Sequence, residues 1–325
     1  MKETLCRLLA AVAVAASLIG GIGTPAGAVP SVQVRLAKVT PTWNWSSPSP
    51  DPQGVVWAPR LHRLLIVDSE VEETRLWAGA NLFQARRNGA LTSTASLLSF
   101  TAEPNDIVRD PKTGHYFVVS DRPRRLYEIA KGPDRRFFTD DDIVTSANLL
   151  MGAFADAKIR DAEGVAIGAG SLWIASDQNK AIYRIRPGAD GRWTGSFASD
   201  DKISQWSTRP VGQLNPEGIE FDVRSGHLLI VGNDVASDIS EVTKRGRLVR
   251  VYDLSAIGSD SPSGLRFAPA SGGNGRSLYM TDRGIDNANQ PNENDGRIFE
   301  LRLPSPNPTT HLNRSRVEPD RPGYP

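Results

Sequence analysis

NPEGIEFD, Asn215 to Asp222, sets a carboxylate between a proline and a glycine just ahead of an apolar run, and the phrase recurs. DPQGVVW starts at Asp51, EPNDIVR at Glu103, DAEGVAI at Asp161 and SPSGLRF at Ser261. Taken at their third residues, the five copies fall 46 to 58 residues apart, a spacing that suits propeller blades and not helical repeats. Each phrase opens a short apolar strand: Val55 to Trp57, Ile107 to Arg109, Val165 to Ile167, Ile219 to Phe221 and Leu265 to Phe267. A Gly- or Pro-containing hairpin leads to a second strand, LLIV from Leu64, YFVV from Tyr116, LWIA from Leu172, LLIV from Leu228 and LYM from Leu278. A third strand (RLYEI, AIYRI, RIFEL) alternates apolar and polar residues, as a half-buried outer strand does. β-Branched and aromatic residues fill the runs, and Gly and Pro punctuate them. The expected fold is an all-β propeller of five blades, or six if the long insertions hide a degenerate one.

The last unit stops after RIFELRL, one strand short, while SVQVRLAKV from Ser31 alternates Val32, Val34 and Leu36 and belongs to no unit. The N-terminal strand is therefore expected to complete the fifth blade and close the ring. Ahead of it, Lys2 and Arg7 precede an apolar run, Leu8 to Ile19, that ends in Ala26-Gly27-Ala28. This is the pattern of a secretory signal peptide over residues 1–28, which leaves a propeller over 29–303. From Pro304 the chain is Pro-rich and nearly free of apolar residues, as in a disordered tail over 304–325. The one cysteine is Cys6, so a processed chain has no thiol, disulfide or Cys-based metal site. Removing Lys2, Glu3 and Arg7 leaves basic and acidic residues equal in number, with no electrostatic case for nucleic acid or an anionic membrane. A secreted, extracytoplasmic monomer without membrane insertion is expected.

In a propeller the innermost strands line a central channel, so the third residues of the phrase should meet at its mouth. They are Gln53, Asn105, Glu163, Glu217 and Ser263, all bearing oxygen. Two carboxylates among amides and a hydroxyl suit a hard cation, Ca²⁺ or another divalent ion, although a water-filled polar rim is also compatible. Asp68, Asp121, Asp177 and Asp282 follow the second strands, with Gly232-Asn233-Asp234 in the fourth blade. An Asp ending a strand commonly bonds its own turn, and that structural role is expected for most of them. His62, His115 and His227 fall in hairpins on the opposite face and His311 in the tail. This disfavours His-dependent hydrolysis and a histidine zinc site, and no G-x-S-x-G phrase is present.

Two acidic loops on the far face, GPDRRFFTDDDI from Gly132 and GADGRWTGSFASDDKI from Gly188, lack EF-hand spacing and read as solvated hairpins or peripheral Ca²⁺ loops. The insertion DRGIDNANQPNENDG from Asp282 carries Asp286, Asn287, Glu293, Asn294 and Asp295. It reads as a lid or a second cation loop.

The P-x-G turns followed by L-x-[IV]-x-D strands resemble the calcium-dependent propellers of the gluconolactonase and senescence-marker-protein family. DSEVEE with ANLFQ, the two G-x-D hairpins and DRGIDNANQPNENDGRIFEL resemble more closely a set of secreted bacterial propellers, often assigned to that family or found beside hemolysin-type calcium-binding repeats. The resemblance spans residues 45 to 303. It implies a divalent cation in the channel on Asn105 of PND and Glu217 of PEG, with Glu163 of AEG a further carboxylate. The lactonases' opening Glu phrase has no clear match, and Gln53 stands in the first turn instead. The leading expectation is a metal-assisted lactone or ester hydrolase in which the cation polarises a carbonyl and a carboxylate, Asp121 or Asp234, activates water. The alternative is a non-catalytic extracellular module that binds a ligand or a protein, because propellers host both.

Overall fold

The computed structural model describes residues 29–193, 200–233, 238–285, 290 and 292–304. The proposed signal segment, the tail beyond Pro304, Asp234, Asp286 and Asn287 lie outside the described residues. Five sheets, antiparallel but for one added edge strand, form a five-bladed propeller. Each inner strand begins inside one of the repeated phrases: Pro52–Ala58, Pro104–Arg109, Ala162–Gly168, Pro216–Asp222 and Pro262–Pro269. Among the described residues the helical elements are four three-residue 3-10 turns. None of the described helices is long and apolar enough to cross a membrane.

Because successive side chains of a strand point to opposite faces, each blade offers one apolar face to each neighbour. The core is accordingly divided among the five joints. Phe117 and Val119 of blade two meet Leu172 and Ile174 of blade three, and Val67 and Leu82 of blade one meet Ile107 and Val118 of blade two. Trp173 and Phe221 fill the third joint, Met280 and Tyr252 the fourth, and Phe83 and Tyr279 the fifth.

The ring closes where the sequence places the closure. Arg35–Pro41 pairs antiparallel with Arg297–Arg302 as the outer strand of blade five, with Val39 opposite Phe299. The first three residues depart from the expectation: Ser31–Gln33 runs parallel to Leu248–Asp253 at the edge of blade four. Between the two pieces Val34 is buried against Tyr252 and Leu301, so one segment ties blade four to blade five. Deleting residues 31–41 is expected to lower the melting temperature sharply and promote association. It removes the buried Val34 side chain, worth about 1.5–3 kcal/mol, and exposes the edge of Arg297–Arg302. Calorimetry and size-exclusion chromatography test this, and a deletion variant that stays monomeric with an unchanged melting temperature contradicts the closure.

Arg266, in the middle of the fifth inner strand, crosses the channel and bonds to all four other inner strands. Its Nε donates to the Val55 carbonyl (3.1 Å), and one terminal nitrogen donates to Glu220 Oε2 (2.7 Å). The other terminal nitrogen meets the carbonyls of Ile107 and Val165 (both 3.1 Å) and Asp106 Oδ2 (3.4 Å). The residue is 5% exposed. It sits three residues along its strand from the mouth position, about 10 Å below the rim, and gives the channel mouth a floor.

Candidate functional site

Each of the five inner strands carries a register irregularity at the same place, between the second residue of the phrase and the fourth or fifth. The third residue is the one left out of the ladder, and a β-bulge of this kind re-aims a side chain. The following glycine lets the inner strands crowd around the axis: a Cβ on Gly218 would lie 1.9 Å from the Ser263 carbonyl oxygen, and one on Gly164 2.5 Å from that of Glu217. The second blade has Asp106 there, and its carboxylate accepts the Val165 N–H (2.9 Å) while reaching Arg266.

Four of the five expected mouth residues form one cluster. Glu163 Oε2 accepts from the Gln53 amide (2.6 Å) and the Asn105 amide (2.9 Å), and Ser69 Oγ donates to Gln53 Oε1 (2.6 Å). Glu217 is 7% exposed, and its Oε2 has no hydrogen-bond partner. Ser263 turns aside to the Pro52 carbonyl and Thr281. Burial, then the neighbouring charge of Glu217, pushes Glu163 well above the usual carboxylate range. Burial raises Glu217 to about 7, against the pull of Arg283. Burial opposes the charge of Arg283, but the carboxylates of Asp51, Glu217 and Glu70 outweigh it and hold the guanidinium protonated. Arg283 Nε donates to Asp51 Oδ1 at 2.7 Å.

The recess lined by Gln53, Asn105, Glu163, Asp161, Asp121 and Glu103 holds about 140 Å³. At about 30 Å³ per water it has room for an ion and a few waters. Small-molecule pockets run to about 300–1,000 Å³, so a substrate would lie above the recess.

The aspartates after the second strands fall into two kinds, and the sequence alignment that grouped them is one residue out of step. Pro52 pairs with Asp68 and Pro262 with Asp282, but Pro104 pairs with Ser120 and Ala162 with Ser176. Asp68 and Asp282 are thus equivalent to the two serines and have the turn-binding role expected. Asp68 accepts from Ser49 Oγ (2.6 Å) and from the N–H groups of Asp51 (3.0 Å) and Val71 (2.8 Å). Asp121 and Asp177 sit one position later, level with Ser69 and Arg283, and Asp121 lines the recess. Asp121 also faces Arg124 (3.1 Å) and Asp177 faces Lys180 (2.7 Å).

Sequence reasoning overlooked the first residue of the phrase, which supplies Asp51, Glu103 and Asp161. Glu103 lines the recess, and burial raises it to about 7. Burial and then the charge of Asp121 raise Asp161. The signal was available in the repeated acid before the proline, but an Asp there also reads as an ordinary turn residue.

Among the described residues, the group of three acids whose carboxylate oxygens lie within 4.8 Å of one another is on the far face: Asp190, Asp200 and Asp201. Asp200 and Asp201 accept the N–H groups of Ala189 and Gly188, and Asp190 accepts that of Arg192, so these acids bond the backbone of their own loop. In the insertion Asp295 accepts the Ile285 N–H (3.1 Å).

A family model described as phytase-like, esterase-like activity of phytase, matches residues 105–255, the stretch holding Asn105, Glu163 and Glu217. The match is not specific to the gluconolactonase and senescence-marker-protein family that the sequence resembles. No curated protein matches it. Among solved structures the chain is similar to the glutaminyl cyclase of Myxococcus xanthus, at 16% identity and a TM-score of 0.49 over 84% of this chain and 97% of that one. It is similar also to the PQQ-bound aldose sugar dehydrogenase of Streptomyces coelicolor (15%, 0.49, 84% and 99%). A third is a luciferin-regenerating enzyme (12%, 0.46, 77% and 91%). A propeller fold does not by itself choose a function.

Proposed function

We propose that the protein is a secreted, metal-dependent ester hydrolase whose channel mouth binds Ca²⁺ or a similar hard cation through Glu163 and Glu217, with Asn105 and Gln53 completing the donor set. The observation that carries this is Glu217 Oε2, a buried carboxylate oxygen without a hydrogen-bond partner, beside the half-buried Glu163 carboxylate and two amides. A hard cation takes oxygen ligands of this kind, so the residues present fit one. When bound, such an ion polarises an ester oxygen and acidifies water. Gln53 and Asn105 hold the Glu163 carboxylate in place, and Arg283 and Asp51 brace the rim. Proton transfer falls to the acids lining the recess, Asp121 and Glu103, of which Glu103, titrating near neutrality, better matches a general base. Asp234, proposed from sequence for the same role, lies outside the described residues. The family match, described by an esterase-like activity, favours an ester substrate.

The direct test is turnover of a lactone, aryl-ester and phosphomonoester panel with Ca²⁺ and with chelator. Chelator-sensitive turnover of one class is expected, whereas a protein inert on the whole panel is a ligand-binding module. The pH dependence of stability follows separately. Glu163 and Glu217 have folded pKa values raised above their unfolded ones, so the stability they contribute is fully present below the ordinary carboxylate range. It is lost as pH rises through the folded value, about 7 for Glu217. Ca²⁺ binds the ionised forms and stabilises by mass action. The rise in melting temperature on adding Ca²⁺ is therefore expected to be small near pH 5 and large near pH 8. An equal rise at both values contradicts the assignment.

A further inference from the structure

The face opposite the mouth carries a cleft of about 690 Å³ between blades one and two. Its cations come from three hairpins: Arg60 from the first blade, and Arg109, Lys131, Arg135 and Arg136 from the second. No carboxylate lines it, although basic and acidic residues nearly balance in the whole chain. Among the described residues none of the five has an ion pair or a hydrogen bond from its side-chain nitrogens to protein. Lys131 lies over the Phe137 ring at 5.0 Å, and Phe137 packs edge-on against Tyr116 at 4.8 Å, so the cations border an aromatic wall.

The loop that presents Arg135, Arg136 and Phe137 is held in shape before any ligand arrives. Asp141 accepts the Asp134 N–H (2.7 Å), Asp134 the Arg136 N–H (2.7 Å) and Asp142 the Phe138 N–H (2.6 Å). Three of the four acids of GPDRRFFTDDDI, Asp134, Asp141 and Asp142, are thus used on backbone. Arg135 and Phe138 both adopt positive φ, 63° and 64°, a conformation that costs energy in residues other than glycine.

We propose that this cleft is a second ligand site, for a phosphate-type oxyanion carried on an aromatic or apolar body. Several guanidinium groups bordering one cleft match the two charges and the paired oxygens of a phosphate better than a single carboxylate. The volume falls in the range of small-molecule sites, and the aromatic wall accounts for the body. The inner strands separate the cleft from the mouth by about 20 Å, so binding here is independent of Ca²⁺ and of the reaction proposed there.

Calorimetry with phenyl phosphate, pyrophosphate and benzoate tests the site, on the wild type and on Arg109→Gln, Arg136→Gln and Phe137→Ala. Phenyl phosphate is expected to bind at millimolar concentration or below, more tightly than benzoate. Each arginine substitution should weaken it about tenfold without changing the melting temperature. Phe137→Ala should weaken phenyl phosphate and leave pyrophosphate unchanged. No binding by the wild type, or binding by both arginine variants as tight as by the wild type, overturns the site, and indifference of phenyl phosphate to Phe137→Ala overturns the aromatic body. Loss of binding with chelator or in Glu217→Gln would place the anion at the mouth and overturn the site also.

Discussion

Arg266→Met is expected to destabilise the protein by about 3–5 kcal/mol near pH 8, the range for removing one partner of a buried ionic network. The substitution keeps much of the side-chain volume but strands Glu220 and Asp106 in the channel and leaves the carbonyls of Val55, Ile107 and Val165 without their shared donor. Burial already raises Asp106 to about 7 and raises Glu220, with Arg266 pulling both down. Without the guanidinium both rise further. The loss should therefore shrink near pH 5, where the two acids are neutral in the variant at little cost, and be greatest above pH 7, where they are forced to ionise. Chemical denaturation at the two pH values measures it. A loss below about 1 kcal/mol near pH 8, the value of an ordinary hydrogen bond, shows that the guanidinium does not join the inner strands. Arg266 has no contact with Glu163 or Glu217 among its hydrogen bonds, so Ca²⁺ affinity in the folded variant should match the wild type.

The blades were legible because each repeats a local grammar of polar turn, inner strand, hairpin and apolar second strand. The closing strand showed itself as an alternation with no partner in its own unit. What the sequence hid depends on long-range pairing. Ser31 to Gln33 continue the same alternation as Val34, and nothing local says that they cross to another sheet. Asp121 and Asp177 look equivalent to Asp68 by eye, but Ser120 and Ser176 are the residues level with Asp68, and the two aspartates come one position later. A slip of one residue turns a side chain to the other face. Arg266 was read only as part of the strand from Leu265 to Phe267. Its partners come from four other blades, though a base in one inner strand and acids in two others, Glu220 and Asp106, were a readable hint of a buried pair.

Glu217→Gln is expected to move stability in opposite directions with and without metal. With Ca²⁺ the variant loses a charged ligand, an interaction of about 1.5–3 kcal/mol, so affinity should drop roughly 10- to 100-fold, and turnover on the responsive ester should fall with it. In chelator near pH 8 the variant should instead be more stable than the wild type. The wild-type carboxylate must ionise while buried, with a folded pKa of about 7 against an ordinary 4.5, a penalty on the order of 3 kcal/mol. Glutamine keeps the shape without the charge and can donate to the Glu163 carboxylate beside it. Near pH 5, where Glu217 is protonated in the folded protein, the two should melt alike in chelator. Asp68→Asn is the control. It gives up an acceptor for the turn N–H groups of Asp51 and Val71 and should cost about 1–3 kcal/mol with or without Ca²⁺, leaving metal affinity unchanged. Calorimetry and melting curves on the three proteins separate the cases. If Ca²⁺ raises the melting temperature of Glu217→Gln as much as that of the wild type, the ion is not at the channel mouth. If Glu217→Gln is less stable than the wild type in chelator near pH 8, Glu217 is paired in the folded protein and has no need of a cation.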